Sequence, residues 1–206
     1  MKLWLLRHAQ PLIAPGVCYG QLDVAADPAA TAACARQLAQ QLPGGISVVS
    51  SPLQRCELLA QALYALRPDL AYKNDPRLRE MNFGRWEGRA WHSIDPAQLS
   101  AWTDDFAHYR VGHDGESVSV FMARVAAVFD ALQGNSGSSG ASCSPCPQNV
   151  LWITHAGVMR AVELLRQNVR QVERASQWPA SAPNYGQWLM LDLSAPAPSA
   201  NNQLLE

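Results

Sequence analysis

The sequence carries little charge of either sign. Charged residues make up 16% of its 206 residues, and the formal net charge is −1. This balance excludes an overall basic field for binding nucleic acid or an anionic membrane, so a strongly anionic ligand must be bound by a small group of cations. The apolar run at residues 3–6 is too short for a signal peptide or a membrane span. We therefore expect neither a nucleic-acid nor a membrane partner.

Cysteine is also scarce. The sequence has five cysteines, which form no pattern typical of an extracellular disulfide framework. Cys143 and Cys146 have no second Cys/His pair at zinc-finger spacing, so we interpret them as an incidental feature of a loop. The cysteine pattern predicts a reduced, cytoplasmic protein without a structural metal.

Apolar runs of strand length alternate with amphipathic segments. The runs lie at residues 3–6, 46–49, 150–154 and 188–193. Such alternation predicts an α/β fold with a mostly parallel central sheet covered by helices on both faces, a three-layer α/β/α arrangement. The length is typical of a single domain, residues 1–206. Residues 134–149 are of low complexity and predict a surface loop, and the tail from residue 195 is expected to be frayed.

Capping residues mark the starts of several helices. Asp27 followed by Pro28 predicts one N-terminus. A second is predicted at Ser51, with Gln54 reaching back as a capping-box partner. Ser117 predicts a third, in a helix whose apolar face contains Phe121, Val125, Val128 and Leu132.

Cationic residues follow three of the predicted strands. Arg7 and His8 follow the first, Arg55 comes shortly after the second, and His155 follows the third. Because ligands of such sheets bind beyond the carboxyl ends of the strands, we expect these four side chains to converge. Two guanidinium groups and a helix N-terminus can bind a phosphoryl group, one imidazole can attack phosphorus, and the other can donate to an oxygen. A general acid remains to be identified.

Five segments resemble motifs of the histidine phosphatase superfamily, which includes the cofactor-dependent phosphoglycerate mutases. They occur in the family's order, and together they are far more specific than the first alone. The segments are residues 6–9 (LRHA), 50–55 (SSPLQR), 78–88 (LREMNFGRWEG), 115–117 (GES) and 153–160 (ITHAGVMR). The resemblance implies a phosphoglycerate mutase-like fold.

The resemblance also implies roles for individual residues. His8 would become phosphorylated and Glu80 would protonate the leaving group, while Arg7, Arg55 and His155 would hold the phosphoryl oxygens. No metal or other cofactor would be needed, because the cations compensate the charge. The helix start at Ala156, and Gly20 and Gln21 in the loop at residues 18–23, would contribute to substrate binding.

The sequence departs from the family pattern in two places. Ala9 stands where a glycine is frequent, which is tolerable only if the backbone there does not need a positive φ. The loop at residues 18–23 (CYGQLD) replaces one that helps bind phosphate in many relatives. This loop and the short chain resemble the alpha-ribazole phosphatase branch.

Three functions from different classes remain open. The first is a phosphomonoesterase acting on a small phosphorylated metabolite, such as alpha-ribazole 5'-phosphate. The second is a phosphoglycerate mutase, for which the chain looks short. The third is a phosphate-ligand binder without turnover, against which the complete set of pocket residues argues. The sequence does not determine the oligomeric state.

Five other residues have simpler interpretations. Glu87 is a rival acid, which we interpret as a surface partner of Arg85 or Arg89. Glu116 is interpreted as supporting the following helix, with a role facing the substrate as the alternative. Arg160 is interpreted as structural. Trp86 and Trp91 are expected in the core, with stacking on a base-like substrate as the alternative.

Overall fold

A computed structural model describes residues 1–134 and 149–194. The strands are β1 (Lys2–Arg7), β2 (Ser47–Ser50), β3 (Tyr72–Asn74), β4 (Asn149–Thr154) and β5 (Trp188–Asp192). The helices are α1 (Pro28–Gln41), α2 (Gln54–Leu66), α3 (Pro96–Asp104), α4 (Val118–Gly134) and α5 (Ala156–Arg166). Short 3₁₀ turns occur at Pro76–Leu78, Gly84–Trp86, Trp91–Ser93 and Ala175–Gln177. Within the two described ranges, no helix has the length and hydropathy needed to cross a membrane.

The predicted loop and tail fall almost entirely on residues that are not described. The loop lies outside the described residues from 135 to 148, as does the tail from residue 195. At the loop's borders, the predicted bounds differ from the structure by one residue each, because Gly134 ends α4 and Asn149 begins β4.

The five strands form one sheet in the order β3-β2-β4-β1-β5. Strand β4 lies between β1 and β2 and is parallel to both, and β3 is parallel to β2. Only β5 in this sheet runs antiparallel, along the free edge of β1. The predicted mostly parallel sheet is therefore confirmed, and the carboxyl ends of β1, β2 and β4 lie side by side.

Alternate residues of the strands face two different helical layers. Leu6 and Ile153 pack with buried side chains of α1 and α2 on one face. Leu5 and Trp152 pack with those of α4 and α5 on the other. Strands buried on both faces explain why their sequence is continuously apolar rather than alternating. The three-layer α/β/α prediction is confirmed.

Two of the three predicted helix starts are confirmed. The Asp27 side chain accepts a hydrogen bond of 2.7 Å from Ala30 N–H, and Pro28 is the first residue of α1. The Ser117 hydroxyl accepts one of 3.3 Å from Val120 N–H at the start of α4.

The predicted cap of α2 is wrong. The helix begins at Gln54, whose N–H donates a hydrogen bond of 2.7 Å to the carboxylate of Asp23, and the N-cap residue Leu53 supplies no side-chain cap. The Ser51 hydroxyl instead lies 2.8 Å from Nε2 of His155. The cap therefore comes from a distant loop, because the local serine binds a histidine.

Residues 69–112 contain two elements that were not predicted from the sequence. They are the short strand β3 and the helix α3, which has an Asp95 cap and Pro96 as its first residue. Most aromatic side chains of this segment pack together in the core cluster that also contains Leu5 and Trp152. Trp86 is fully buried.

Candidate active site

Backbone hydrogen bonds between neighbouring strands bring the predicted site residues together. His8 follows β1 and its N–H donates to the carbonyl of Thr154 at 3.1 Å, while Ser51 follows β2 and its N–H donates to Ile153 at 2.9 Å. The imidazoles of His8 and His155 consequently lie with their ring centroids 5.2 Å apart. Both histidines and Arg55 are buried in one pocket at this edge of the sheet.

The environment of His8 leaves one nitrogen with a free lone pair. Its Nδ1 lies 2.7 Å from the carbonyl oxygen of Ala9. A carbonyl can only accept, so Nδ1 carries the proton and Nε2 is the basic nitrogen. Burial, followed by the charges of Arg55 and Arg7, holds the pKa of His8 well below its usual value. The side chain is therefore neutral near pH 7, as a nucleophile must be. Ala9 does not have a positive φ, so its side chain causes no strain.

His155 has the opposite tautomer. Its Nδ1 accepts a hydrogen bond of 3.3 Å from Nε of Arg55, so the proton is on Nε2, which lies 2.8 Å from the Ser51 hydroxyl. Burial and the charge of Arg55 lower the pKa of His155 well below its usual value. The imidazole is thus a neutral N–H donor in the pocket.

Arg55 is held in place by the loop that contains Gly20. Its Nη2 donates to the carbonyl of Gly20 at 2.6 Å and its Nη1 to that of Leu22 at 3.0 Å. Each Nη carries a second N–H that can reach a ligand. Gly20 has a φ of +27°, and a Cβ there would overlap the Glu87 carboxylate and Met81. The structure thus places Gly20 behind the guanidinium, where it determines the position of Arg55.

Arg7 is a further charged neighbour of His8 and His155. Its Nη1 donates to the carbonyl of Pro183 at 2.9 Å, whereas its buried Nε has no hydrogen-bond partner in the described structure. The guanidinium carbon lies 3.9 Å from the ring centroid of Tyr185, whose hydroxyl is 3.0 Å from that of Tyr19. A guanidinium held next to two imidazoles is an arrangement that can bind an anion.

Glu80 is held against the start of α5. One of its carboxylate oxygens accepts a hydrogen bond of 3.0 Å from Gly157 N–H, and the other accepts one of 3.0 Å from Met81 N–H. The Gln21 side chain donates to the backbone carbonyl of Glu80 at 3.0 Å. The helix start, including the half-buried Ala156, was expected to face the phosphoryl group, but the N–H of Gly157 binds the acid instead.

Another arginine, Arg124, holds the backbone on both sides of Glu80. Arg124 donates to the carbonyls of Arg77, Arg79 and Glu80 at 2.8–3.2 Å. It also forms a two-point ion pair with Glu116, at 2.7 and 2.8 Å. Glu116, which had been interpreted as supporting the next helix, is thus the counter-charge of this arginine. We refer to Arg124 and Glu116 as the backbone clamp.

The interpretation of Glu87 as a surface partner of Arg85 or Arg89 is wrong. Its carboxylate accepts from Gln21 N–H at 2.8 Å and from Phe83 N–H at 2.9 Å, and burial raises its pKa. It therefore ties the Gly20 loop to the segment that carries Glu80.

Arg160 and the two tryptophans also have definite positions. Arg160 donates to the carbonyls of Ala180 and Ser181 at 3.1 and 3.3 Å and lines a cavity next to Glu80. Trp86 packs in the core, as expected, and Trp91 packs against it.

Several residues of the site were missed by sequence reasoning. Ser51 belongs to the motif at residues 50–55 but was predicted to cap a helix. Tyr19 belongs to the loop at residues 18–23, which departs from the family pattern. Gly157 was part of the second-histidine motif but was given no role of its own. Tyr185 and Arg124 carried no motif signal. Among residues 1–134 and 149–194, no group of three or more His, Cys, Asp or Glu side chains could hold a metal ion. Cys143 and Cys146 lie outside the described residues.

Known structures resemble this one over most of its length. A mycobacterial glucosyl-3-phosphoglycerate phosphatase, Rv2419c, is 27% identical with a TM-score of 0.70, over 92% of this chain and 88% of that one. Its complex with inorganic phosphate is 28% identical with a TM-score of 0.71, over 93% and 89% of the two chains. TTHB049 from Thermus thermophilus is 27% identical with a TM-score of 0.65, over 93% and 94%.

No curated protein matches the sequence. The profile of the histidine phosphatase superfamily (branch 1) matches residues 3–182, which is most of the sequence. With its strand-end histidines and arginines, the chain belongs to the histidine phosphatase superfamily.

Proposed function

We propose that the protein is a phosphomonoesterase that hydrolyses a small phosphorylated metabolite through a phosphohistidine on His8. The observation that carries this proposal is the state of that side chain. His8 is neutral, its Nδ1 is bound to Ala9, and its free Nε2 is surrounded by Arg7, Arg55 and His155. A nucleophile needs a lone pair and a nearby charge for the oxyanion that develops on the substrate.

In the first step, Nε2 of His8 attacks phosphorus and the bond to the alcohol oxygen breaks. Arg7 and Arg55 supply guanidinium N–H groups to the equatorial oxygens, whose negative charge is greatest in the transition state. Nε2 of His155 gives up its hydrogen bond to the Ser51 hydroxyl and donates to a phosphoryl oxygen instead. The leaving oxygen takes a proton from Glu80.

In the second step, water attacks the phosphohistidine. Glu80 takes the proton from this water, the bond between Nε2 and phosphorus breaks, and inorganic phosphate leaves. Gly157 and the backbone clamp keep the carboxylate in the same place for both steps.

We propose that the reaction is independent of metal ions. The guanidinium groups of Arg7 and Arg55 can compensate the phosphoryl charge that a metal ion compensates in other phosphatases. Full activity in EDTA is the expected result, and restoration of lost activity by Mg²⁺ or Zn²⁺ would contradict it.

The specific substrate that we propose is alpha-ribazole 5'-phosphate, on the basis of the loop at residues 18–23. In this loop Tyr19 and Gly20 surround Arg55, and Gln21 contacts Glu80. We also propose a cytoplasmic location, since Cys18, Cys34 and Cys56 are buried free thiols that suit a reducing compartment.

The decisive experiment follows phosphate through the enzyme. The purified protein is mixed with labelled alpha-ribazole 5'-phosphate, glucosyl-3-phosphoglycerate or 3-phosphoglycerate in EDTA and quenched in alkali. We expect acid-labile label on the protein and release of inorganic phosphate. His8→Ala should abolish both, whereas His92→Ala, at an exposed position, should change neither.

The same experiment separates the alternatives. Interconversion of 2- and 3-phosphoglycerate that depends on a bisphosphate primer would indicate a mutase. Tight phosphate binding without turnover would indicate a binder. Full activity of His8→Ala would overturn the mechanism.

A further inference from the structure

A cavity of about 500 Å³ is lined by Glu80 but not by His8 or His155. Five of its fourteen lining residues are aromatic. We call it the aromatic pocket, and its aromatic lining is Phe83, Trp102, Phe106, Phe121 and Trp178. The volume is within the usual range for the site of a small molecule.

The aromatic rings support one another. Trp102 stacks on Phe106 with centroids 5.5 Å apart and planes 23° from parallel. Trp178 packs against Phe106 at 6.3 Å and Phe121 at 6.2 Å. Rings held by several neighbours keep their orientation, so the walls are formed before a ligand arrives.

Few of the residues that line the aromatic pocket are charged. Among its described lining residues, only Glu80 and Arg160 carry a charge. Two donors of Arg160 already bind the carbonyls of Ala180 and Ser181. One half-buried guanidinium beside a carboxylate favours a ligand group that is neutral over most of its surface.

The position of the pocket relates it to the chemistry. In an in-line displacement, the leaving oxygen lies opposite the attacking Nε2 of His8, next to the acid that protonates it. Glu80 and Gly157 line the pocket, whereas His8 and His155 do not. Whatever is bonded to the leaving oxygen must therefore extend from Glu80 into this space.

We infer that the aromatic pocket binds the leaving group, and that the substrates are phosphomonoesters of alcohols bearing a planar, uncharged ring system of one or two rings. This inference rests on the proposed phosphatase function, but not on the identity of any one metabolite. Trp178 is the specificity-determining residue, because planar rings stack well on an indole face and Trp178, unlike Trp102, is not stacked on a neighbouring ring.

The test uses three esters of primary alcohols that differ in what enters the pocket. They are 2-(2-naphthyl)ethyl phosphate, ethyl phosphate and 2-carboxyethyl phosphate. We expect kcat/KM for the naphthyl ester to exceed that of the other two by about tenfold or more, as ring stacking and burial of apolar area together predict.

Variants test whether the preference for the naphthyl ester depends on the aromatic pocket. Trp178→Ala should lower kcat/KM for the naphthyl ester by about tenfold and leave ethyl phosphate nearly unchanged. Thr103→Trp fills the pocket from an exposed position, so it should do the same even if Trp178→Ala is poorly folded. The control is Trp188→Ala, which removes a half-buried tryptophan of β5 outside the pocket and should preserve the ratio of the esters.

The outcomes separate this inference from the proposed function. Equal kcat/KM for the naphthyl and ethyl esters, with His8 phosphorylated by both, would overturn the pocket assignment alone. Preference for the carboxyethyl ester would replace it with recognition of an acid by Arg160. Absence of phosphohistidine and of turnover with all three esters would instead overturn the phosphatase function.

Discussion

The carboxylate of Glu80 and the backbone of Gly157 are in direct contact. The hydrogen bond between them is 3.0 Å long, and a Cβ at residue 157 would overlap the carboxylate. The position of the proposed acid therefore depends on the absence of a side chain at the second residue of α5. A glycine that looks unremarkable within a histidine motif thus has a steric role in the chemistry.

Gly157→Ala should displace Glu80 and slow turnover of alkyl phosphates. Loss of a correctly placed general acid costs about 10²–10⁴-fold, so we expect kcat/KM to fall toward that range. The fall in kcat/KM should be much smaller with p-nitrophenyl phosphate, because kcat/KM covers only the steps through phosphorylation of His8 and this leaving group needs no proton. Steady-state kinetics with both substrates checks this, and Gly44→Ala is the control because a Cβ there contacts nothing. Equal losses with the two substrates would show that Gly157 does not act through the acid.

Arg124→Met should lower kcat with little effect on the inhibition constant of inorganic phosphate. The substitution leaves Glu116 without its partner and frees three carbonyls around Glu80. We expect a loss of about 1–3 kcal/mol in the free energy of unfolding. Urea unfolding and kinetics measure the two effects.

The control for Arg124→Met is Arg170→Met, which breaks an ion pair at 2.7 Å whose two side chains are about half exposed. Such a pair contributes at most about 1 kcal/mol, and activity should not change. A fall in phosphate affinity of Arg124→Met equal to its fall in kcat would contradict a role confined to Glu80.

Tyr185→Ala should weaken the binding of inorganic phosphate and of vanadate. The ring covers the guanidinium of Arg7, and removing it leaves that side chain free to leave the pocket. We expect inhibition constants to rise about three- to thirtyfold, which corresponds to about 0.5–2 kcal/mol. Tyr185→Phe, which keeps the ring and loses only the bond to Tyr19, should stay close to the parent. Tyr64→Ala, at an exposed position of α2, is the control.

The two buried histidines should make the fold less stable in mild acid. Burial first, and then the charge of Arg55, lowers the pKa values of His8 and His155 in the folded state, whereas the unfolded chain has a histidine pKa of about 6.5. Below pH 6.5 the unfolded state binds more protons than the folded state, so the free energy of unfolding decreases as the pH is lowered. Each histidine contributes at most about 1.4 kcal/mol per pH unit.

Urea unfolding at pH 7, 6 and 5 measures this dependence. His8→Gln should reduce the slope between pH 6.5 and 5, and His92→Gln, at an exposed position, should not. An unchanged slope in His8→Gln would mean that His8 titrates normally in the folded protein.

The fold could be predicted from the sequence because its strands are buried on both faces. Such strands are continuous apolar runs, and the segments between them have helical periodicity. The helix α3 was missed although Asp95-Pro96 repeats the signal at Asp27-Pro28 that identified α1. The short strand β3 has no apolar run, since its residues are half-buried or exposed at the edge of the sheet.

The sequence predicted the candidate site residues that lie in motifs. Arg7, His8 and His155 lie at strand ends. Arg55 lies in the first turn of α2, and Glu80 lies between short 3₁₀ turns. The partners that hold Arg55 are backbone carbonyls of Gly20 and Leu22, which no side-chain pattern reveals. Glu87 was misinterpreted because arginines two residues away on each side suggest a local ion pair, whereas its partners are backbone N–H groups of the Gly20 loop and Phe83.

The pocket that contains His8 is built from residues near both ends of the described chain. The carbonyls of Arg7 and His8 accept hydrogen bonds from Gly186 N–H, and the guanidinium of Arg7 is held by Pro183 and Tyr185. A nascent polypeptide on the ribosome cannot complete this pocket until residue 187 or so has left the exit tunnel. Synthesis therefore produces His8 early and the residues that hold Arg7 last, so a chain truncated before Pro183 is expected to lack activity.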